Sequence, residues 1–285
     1  MNLTDALETV RRVGAVRTTD VQTLALARAH RRVLAEEMLG PDASPVDVAA
    51  PGQVLTPIAV AHAARVGVEI ARVRRRPTIA VFVIESGDRG ASDAAHALLT
   101  GLLRADGLEP TAWPSLQADE RNVEIAIRDA GCAFDAIAVC GDTNGRALVD
   151  RVLAAFGDVR VAALDLDGEA AAFRFATLDA ACVLALPLDP LALAGLYLTA
   201  GRALIDALEA RTDRRLPQRA RLDAPRATPR AFEWARARVD EPGVSTLVST
   251  GMEVSAGAPV DAVLLPESEG AAGDASSLAV PLPTL

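Results

Sequence analysis

The sequence predicts an α/β protein: a parallel sheet with helices on both faces, helices before it and a small antiparallel β domain after it. Three observations carry that prediction. Short, wholly apolar runs such as Thr78 to Ile84 and Asp135 to Cys140 alternate with stretches of helical period, as in strands buried on both faces. Beyond Pro229 the apolar period changes to two. With 285 residues, 51% hydrophobic and 3% aromatic, the chain is long enough for a sizeable, mostly aliphatic core.

In chain order, Thr4 is placed as the N-cap of a helix through Val13, with Leu3, Leu7 and Val10 on one face. Helical spacing continues from Thr19 to Glu37 and is stopped by Gly40-Pro41. Asp42 to Gly52 reads as a linker, and Pro57 restarts a helix from Ile58 to Ala71. Arg72 to Arg76 is a basic connection into the first buried strand. Helices are predicted at Ser92–Asp106, Glu120–Gly131, Arg146–Phe156 and Leu191–Ala210. Between them fall strands near Glu109–Trp113, Asp135–Cys140, Arg160–Leu164, Ala172–Phe175 and Cys182–Leu186. Ala180 to Ala200 approaches membrane-spanning length, but Pro187, Asp189 and Pro190 divide it into a strand, a loop and a core helix. The domains expected are 1–52, an N-terminal helical region and linker; 53–212, the α/β unit; and 213–285, the β domain, in which Gly270 to Ser277 reads as a mobile tail.

Composition excludes several function classes. The net charge of −9 has the wrong sign for broad contact with nucleic acid or anionic lipid, so neither nucleic acid nor membrane is an expected partner. All 29 basic residues are Arg, which removes every mechanism that needs a lysine. Cys132, Cys140 and Cys182 are spaced as buried thiols rather than a disulfide framework, and Met1 to Val13 lacks the apolar core of a signal peptide, so a cytoplasmic location is expected.

Ligands of open α/β sheets sit at the carboxyl ends of strands, against loops and helix N-termini. Three loops qualify: Glu85 to Gly90, Cys140 to Gly145, and Leu186 to Pro190. Gly87, Gly141 and Gly145 let backbone amides approach an anion, and Thr143 and Asn144 add neutral donors. Asp88 and Asp142 are the carboxylates that a divalent metal could use. His30, His62 and His96 lack second ligands at metal spacing, and Ser86 lacks a nearby His. Arg72, Arg74, Arg75 and Arg76 read as a solvated basic face, and Trp113 and Trp234 as core or interface anchors.

Several short motifs, taken in order, resemble one family. Leu3-Thr4-Asp5-Ala6-Leu7, Arg32 to Glu37, Leu55-Thr56-Pro57-Ile58, Arg75-Arg76-Pro77 entering the strand that ends at Ser86-Gly87-Asp88, and Leu186-Pro187-Leu188-Asp189-Pro190 look like the molybdopterin molybdotransferases of the MoeA and gephyrin-E type. The likeness spans nearly the whole chain. It implies a MoeA-like molybdopterin-binding α/β domain, a C-terminal β domain, and a homodimer or a heterodimer with a related protein. The family inserts molybdate into adenylylated molybdopterin with magnesium. On that resemblance the pterin is held by Gly87, Gly141, Asp142, Thr143, Asn144, Gly145, Pro187, Asp189 and Pro190, with Asp88 as the surviving metal contact.

The departures point to an eroded relative. The polar motif that should follow Asp42 to Asp47 is reduced to Pro45-Val46-Asp47, and the β-rich insert after it is missing. Arg146 and Leu148 stand where the family has acids, which counts against a resident magnesium ion. The family's K-P-G-K-P segment falls on Leu166 to Ala170, so Glu169 replaces an ammonium; reversing one charge beside a phosphate changes the interaction by on the order of several kcal/mol. The expected function is therefore an accessory molybdopterin-binding protein of molybdenum-cofactor biosynthesis without full insertion activity. The alternatives are a non-catalytic scaffold or dimerisation partner, and a metal-dependent enzyme acting on another small anion through Asp88 and Asp142.

Overall fold

The computed structural model describes all residues except 43, 85–86, 214, 216, 225, 227–229, 242–243, 252–259, 267–275 and 284–285. Its centre is a six-stranded sheet formed by β3 (Ile79–Val83), β4 (Thr111–Ala112), β5 (Ala136–Gly141), β6 (Asp158–Val161), β7 (Arg174–Leu178) and β8 (Ala181–Pro187), in the order β4-β3-β5-β8-β7-β6. The first four in that order are parallel. β7 runs antiparallel to β8, and β6 to β7, so the sheet is mixed rather than purely parallel. The reason is local: only the Asp179-Ala180 turn joins β7 to β8, too short for the crossover that parallel strands need.

Both faces are covered. Ile79, Val81 and Val83 point into one core with Ala138, Cys140, Leu184 and Leu186, against α3 (Arg89–Ala105) and the long helix Pro190–Leu208. Ala80, Phe82, Ile137, Val139, Val183 and Ala185 point the other way, against α4 (Glu120–Ala133) and α5 (Thr143–Phe156). This two-sided burial is why the strands read as unbroken apolar runs. Trp113 stacks on Phe82 at 4.9 Å and meets Phe134 edge-on at 5.5 Å, the core role expected of it. The helix Pro190–Leu208 has the length and composition of a membrane span, yet 94% of that window is buried inside the protein. It consists of α6 (Pro190–Leu196), a π-turn at Tyr197–Gly201 and α7 (Arg202–Leu208).

The N-terminal segment corrects several expectations. Helix α1 (Leu3–Ala15) begins two residues earlier than predicted: Asn2, not Thr4, caps it, its side chain accepting from the Asp5 amide at 2.8 Å. Gly14 lets α1 lie against α7, since a Cβ there would be 2.8 Å from that of Ala207. Residues 19–37 are not helical. They form β1 (Val21–Ala25), a short 3-10 turn and bridges from Val33 to Val54 and Leu34 to Val73. β1 pairs antiparallel with β2 (Ile70–Arg74), and this long-range pairing overrides a helical period made largely of Ala and Leu. Likewise α2 (Pro57–Arg65) stops short of Ala71, because Gly67 turns left-handed at φ 85°, where a Cβ would also lie 2.8 Å from the Pro41 ring. Residues 26–73 share one small core, with Leu34, Leu55, Ala63 and Val73 at its centre. The expected break at residue 52 falls inside that unit.

The C-terminal unit is a five-stranded antiparallel sheet of β9 (Gln218–Arg221), β10 (Glu233–Glu241), β11 (Val244–Gly251), β12 (Ala262–Leu264) and β13 (Ser276–Pro281), ordered β11-β10-β12-β13-β9. A bridge between Leu222 and Leu247 brings its two edges together. Ser276 and Ser277, read as the end of a tail, open β13, which lies between two partners; the rest of that segment lies outside the described residues. Phe232 and Trp234 join this sheet to the central core, with Phe232 lying flat over Gly195 of α6.

Cys140 and Cys182 are buried among apolar groups, which pushes their thiols up to about 12 and about 11. Cys132 is exposed, correcting the expectation for it. The basic run before β3 is also not a solvated face: Arg75 makes a two-pronged pair with Asp135 at 2.8 Å, and Arg74 donates to the Thr19 carbonyl at 3.0 Å.

Candidate functional site at the carboxyl edge of the sheet

β3, β5 and β8 are adjacent and parallel, so their carboxyl ends deliver three consecutive strand-to-helix turns to one edge of the sheet. Each turn ends in an aspartate, and each aspartate caps the helix that follows. The Asp88 carboxylate accepts from the Ala91 amide at 3.2 Å, Asp142 from Gly145 at 2.8 Å and Asp189 from Ala192 at 2.7 Å. This capping starts α5 at Thr143, three residues before the predicted start, so Thr143, Asn144 and Gly145 form its first turn rather than a loop.

Between the three N-termini lies a cleft of about 330 Å³ lined by Gly87, Asp88, Ala91, Asp142, Thr143, Arg146, Glu169, Leu188 and Asp189. Five of the residues expected from the sequence therefore meet at one place: Gly87, Asp88, Asp142, Thr143 and Asp189. Gly141, Asn144, Gly145, Pro187 and Pro190 do not line it. Gly141 and Pro187 are paired ends of β5 and β8. Gly145 is a packing residue, since a Cβ there would press on Ile84 at 3.1 Å, and a Cβ on Gly141 would meet the Gly145 backbone at the same distance. A Cβ on Gly87, by contrast, meets nothing, which leaves room beside its backbone. Glu85 and Ser86 lie outside the described residues.

Arg146 and Glu169 are the site residues that the sequence marked only as departures. Arg146 sits one turn into α5 with its side chain 13% exposed, and its guanidinium reaches Glu169 at 2.6 Å and the Thr143 hydroxyl at 3.4 Å. Glu169 comes from a short 3-10 segment, Gly168–Ala172, entered through Gly168 at φ 70°. The lining thus holds one cation and four carboxylates. The three helix dipoles favour an anion, while the aspartate caps and Glu169 oppose it. Among the described residues, no group of three or more His, Cys, Asp or Glu side chains could hold a metal ion. The Asp88 carboxylate is engaged with the first turn of α3. His30 and His62 are exposed, His96 is part-buried in α3, and none of the three lines the cleft.

No family model matches the chain, and no curated protein matches it. Solved structures do. Two structures of a MoeA molybdopterin biosynthesis protein from Pyrococcus horikoshii superpose with TM-scores of 0.73 and 0.68, each at 12% identity, covering 100% and 99% of this chain and 99% of theirs. A molybdenum cofactor biosynthesis protein from Pyrococcus furiosus superposes with a TM-score of 0.70 at 17% identity, covering 98% of each chain. The chain has the MoeA fold. The sequence resemblance anticipated that fold, including the C-terminal antiparallel sheet, and at these identities the likeness is one of architecture. In this MoeA-type framework the cleft occupies the edge where open α/β sheets receive ligands.

Proposed function

We propose that the cleft at the three aspartate-capped helix N-termini binds molybdopterin or a close pterin phosphate, as an accessory step in molybdenum-cofactor biosynthesis, without full molybdate insertion. The observation that carries this reading is the convergence of α3, α5 and α6 on one cleft in a MoeA fold. First-turn amides and the Arg146 guanidinium supply donors for a phosphate, and the Thr143 hydroxyl and the open backbone at Gly87 supply hydrogen bonds to a flat, polar ring. Leu188 offers the apolar contact.

Support for the accessory role comes from charge. Insertion of molybdate into a nucleotide-bearing pterin gathers several anions in one place. Here four carboxylates face that place, and the single guanidinium is already bound to one of them. Molybdopterin in this setting is a ligand to be held, and the residues present suit holding one phosphate better than clustering several.

Titration of the full chain with molybdopterin, followed by pterin fluorescence, tests the ligand. Saturation in the micromolar range supports it, and the absence of saturation removes it. Complementation of a strain lacking its molybdotransferase tests the accessory role separately: failure to restore cofactor synthesis is expected, and restoration would show a working transferase.

A further inference from the structure

A second cleft, about 670 Å³ in volume, opens at the other end of the sheet, where α3 ends and the chain enters β3. Distant parts of the sequence build it: Arg31 from the N-terminal unit, Asp106 just past α3, Arg202 from α7, Arg215 and Gln218 leading into β9, and Pro281 closing β13. Its charge is the reverse of the chain's. Arg202 grips Asp106 through two hydrogen bonds of 2.9 Å, and Arg215 reaches Asp106 at 3.0 Å and Asp206 at 2.6 Å. Behind them stand Arg32, Arg76 and Glu209. The cleft lining itself holds three guanidiniums, Arg31, Arg202 and Arg215, against one carboxylate, Asp106, in a protein whose net charge is −9.

Arg31 is held at a backbone cost. It sits at φ 58°, in the left-handed region that side chains other than Gly seldom adopt, fixed by its amide on the Leu55 carbonyl at 2.9 Å. That conformation brings its guanidinium to the end of α3, where it donates to the Ala105 carbonyl at 3.0 Å; it makes no other side-chain hydrogen bond among the described residues. Burial, followed by the field of a neighbouring Arg, holds the Arg32 guanidinium below its ordinary pKa. Arg76 is lowered by burial and by Arg31, with Glu209 pulling the other way. The opposite wall is apolar and stiff: Pro217, Val280, Pro281 and Leu282.

Guanidinium forks match phosphate oxygens in pairs, and an apolar wall beside them suits the organic part of a ligand. We propose that this second cleft binds a phosphorylated organic molecule, its phosphate taken mainly by Arg31 and its apolar part lying against Pro217 and Pro281. The Arg31 guanidinium is engaged only by the Ala105 carbonyl among the described residues, and Arg215, already set against Asp106 and Asp206, adds its field. This proposal does not depend on the molybdopterin reading of the first cleft.

Calorimetric titration of the full chain with phenyl phosphate and with inorganic phosphate tests it, alongside the variants Arg31→Gly and, at a residue lining neither cleft, Arg128→Ala. Arg31→Gly keeps the left-handed backbone without strain and removes only the side chain. Expected are saturable, salt-sensitive binding with phenyl phosphate tighter than inorganic phosphate, a loss of about tenfold in Arg31→Gly, and no change in Arg128→Ala. Hydrogen exchange should show phenyl phosphate protecting the amides of residues 30–32, 280 and 282. Unchanged binding in Arg31→Gly, an equal loss in Arg128→Ala, equal affinity for the two probes, or protection confined to the first turn of α5 would each overturn the proposal.

Discussion

The two ends of the central sheet carry opposite electrostatic designs. At the carboxyl edge the backbone supplies the positive field, through three helix N-termini, and the side chains are mainly carboxylates. At the other edge the side chains supply the positive field, as guanidiniums stacked around a few acids. The helix Pro190–Leu208 links them, with Asp189 at its start in the first cleft and Arg202 near its end in the second. The contrast teaches that the backbone field at a sheet edge and the charge that side chains place there are separable: helix dipoles come with the architecture, whereas side-chain charges follow the sequence.

Variants that break this comparison differ in size of effect. Arg202→Ala leaves Asp106 buried with only Arg215 and Tyr197 as partners, and should cost about 3 kcal/mol in chemical denaturation. Acid should act on the same group. Burial alone would raise the Asp106 carboxyl, but Arg202, Arg215 and Tyr197 together hold it below the ordinary range, as Arg75 and Thr78 hold Asp135. A depressed carboxyl contributes stability above its unfolded pKa near ~4 and loses it as the pH falls toward the folded value. Thermal melts should therefore be level from neutral pH down to that point and drop below it, less steeply in Arg202→Ala.

Gly195→Val strikes the link between the ends. A Cβ there lies 2.5 Å from the Phe232 ring, so the C-terminal sheet must shift, at about 2 kcal/mol in unfolding free energy. Asp142→Ala removes one cap and should cost about 1 kcal/mol, while raising affinity for a pterin phosphate by deleting a carboxylate from the cleft. Glu169→Gln should move stability least, within about 0.5 kcal/mol because the pair is partly solvent-exposed. Its effect belongs in binding: releasing Arg146 should tighten molybdopterin several-fold, and an unchanged affinity would mean that the Arg146–Glu169 pair does not compete with the ligand.

The central α/β unit was legible because its strands are buried on both faces and so announce themselves as apolar runs with turn residues between. The N-terminal unit was not. Val21 to Ala25 carries Ala and Leu at a spacing that serves helix or strand, and only the pairing with Ile70 to Arg74 decides it. In the first cleft, the loops were readable from strand-then-Gly/Asp patterns, but the roles of the aspartates were not. The same residue type serves as metal ligand, anion repeller or N-cap, and the 2.7 to 3.2 Å contacts to helix amides assign the cap. The glycines followed the same course: Gly141 and Gly145 look like phosphate-loop glycines, yet their missing side chains make room for neighbouring chain. The second cleft left no local motif at all. Arg31, Asp106, Arg202 and Arg215 meet only after folding, so no window of sequence could show them together.

Hydrogen exchange of the full chain, with and without saturating molybdopterin, measures most directly whether the carboxyl-edge cleft is the pterin site. Protection of the first-turn amides of α3, α5 and α6, residues 89–92, 143–146 and 191–193, is the predicted result. Protection absent from all three turns, or found only around Arg31 and the end of β13, would contradict it.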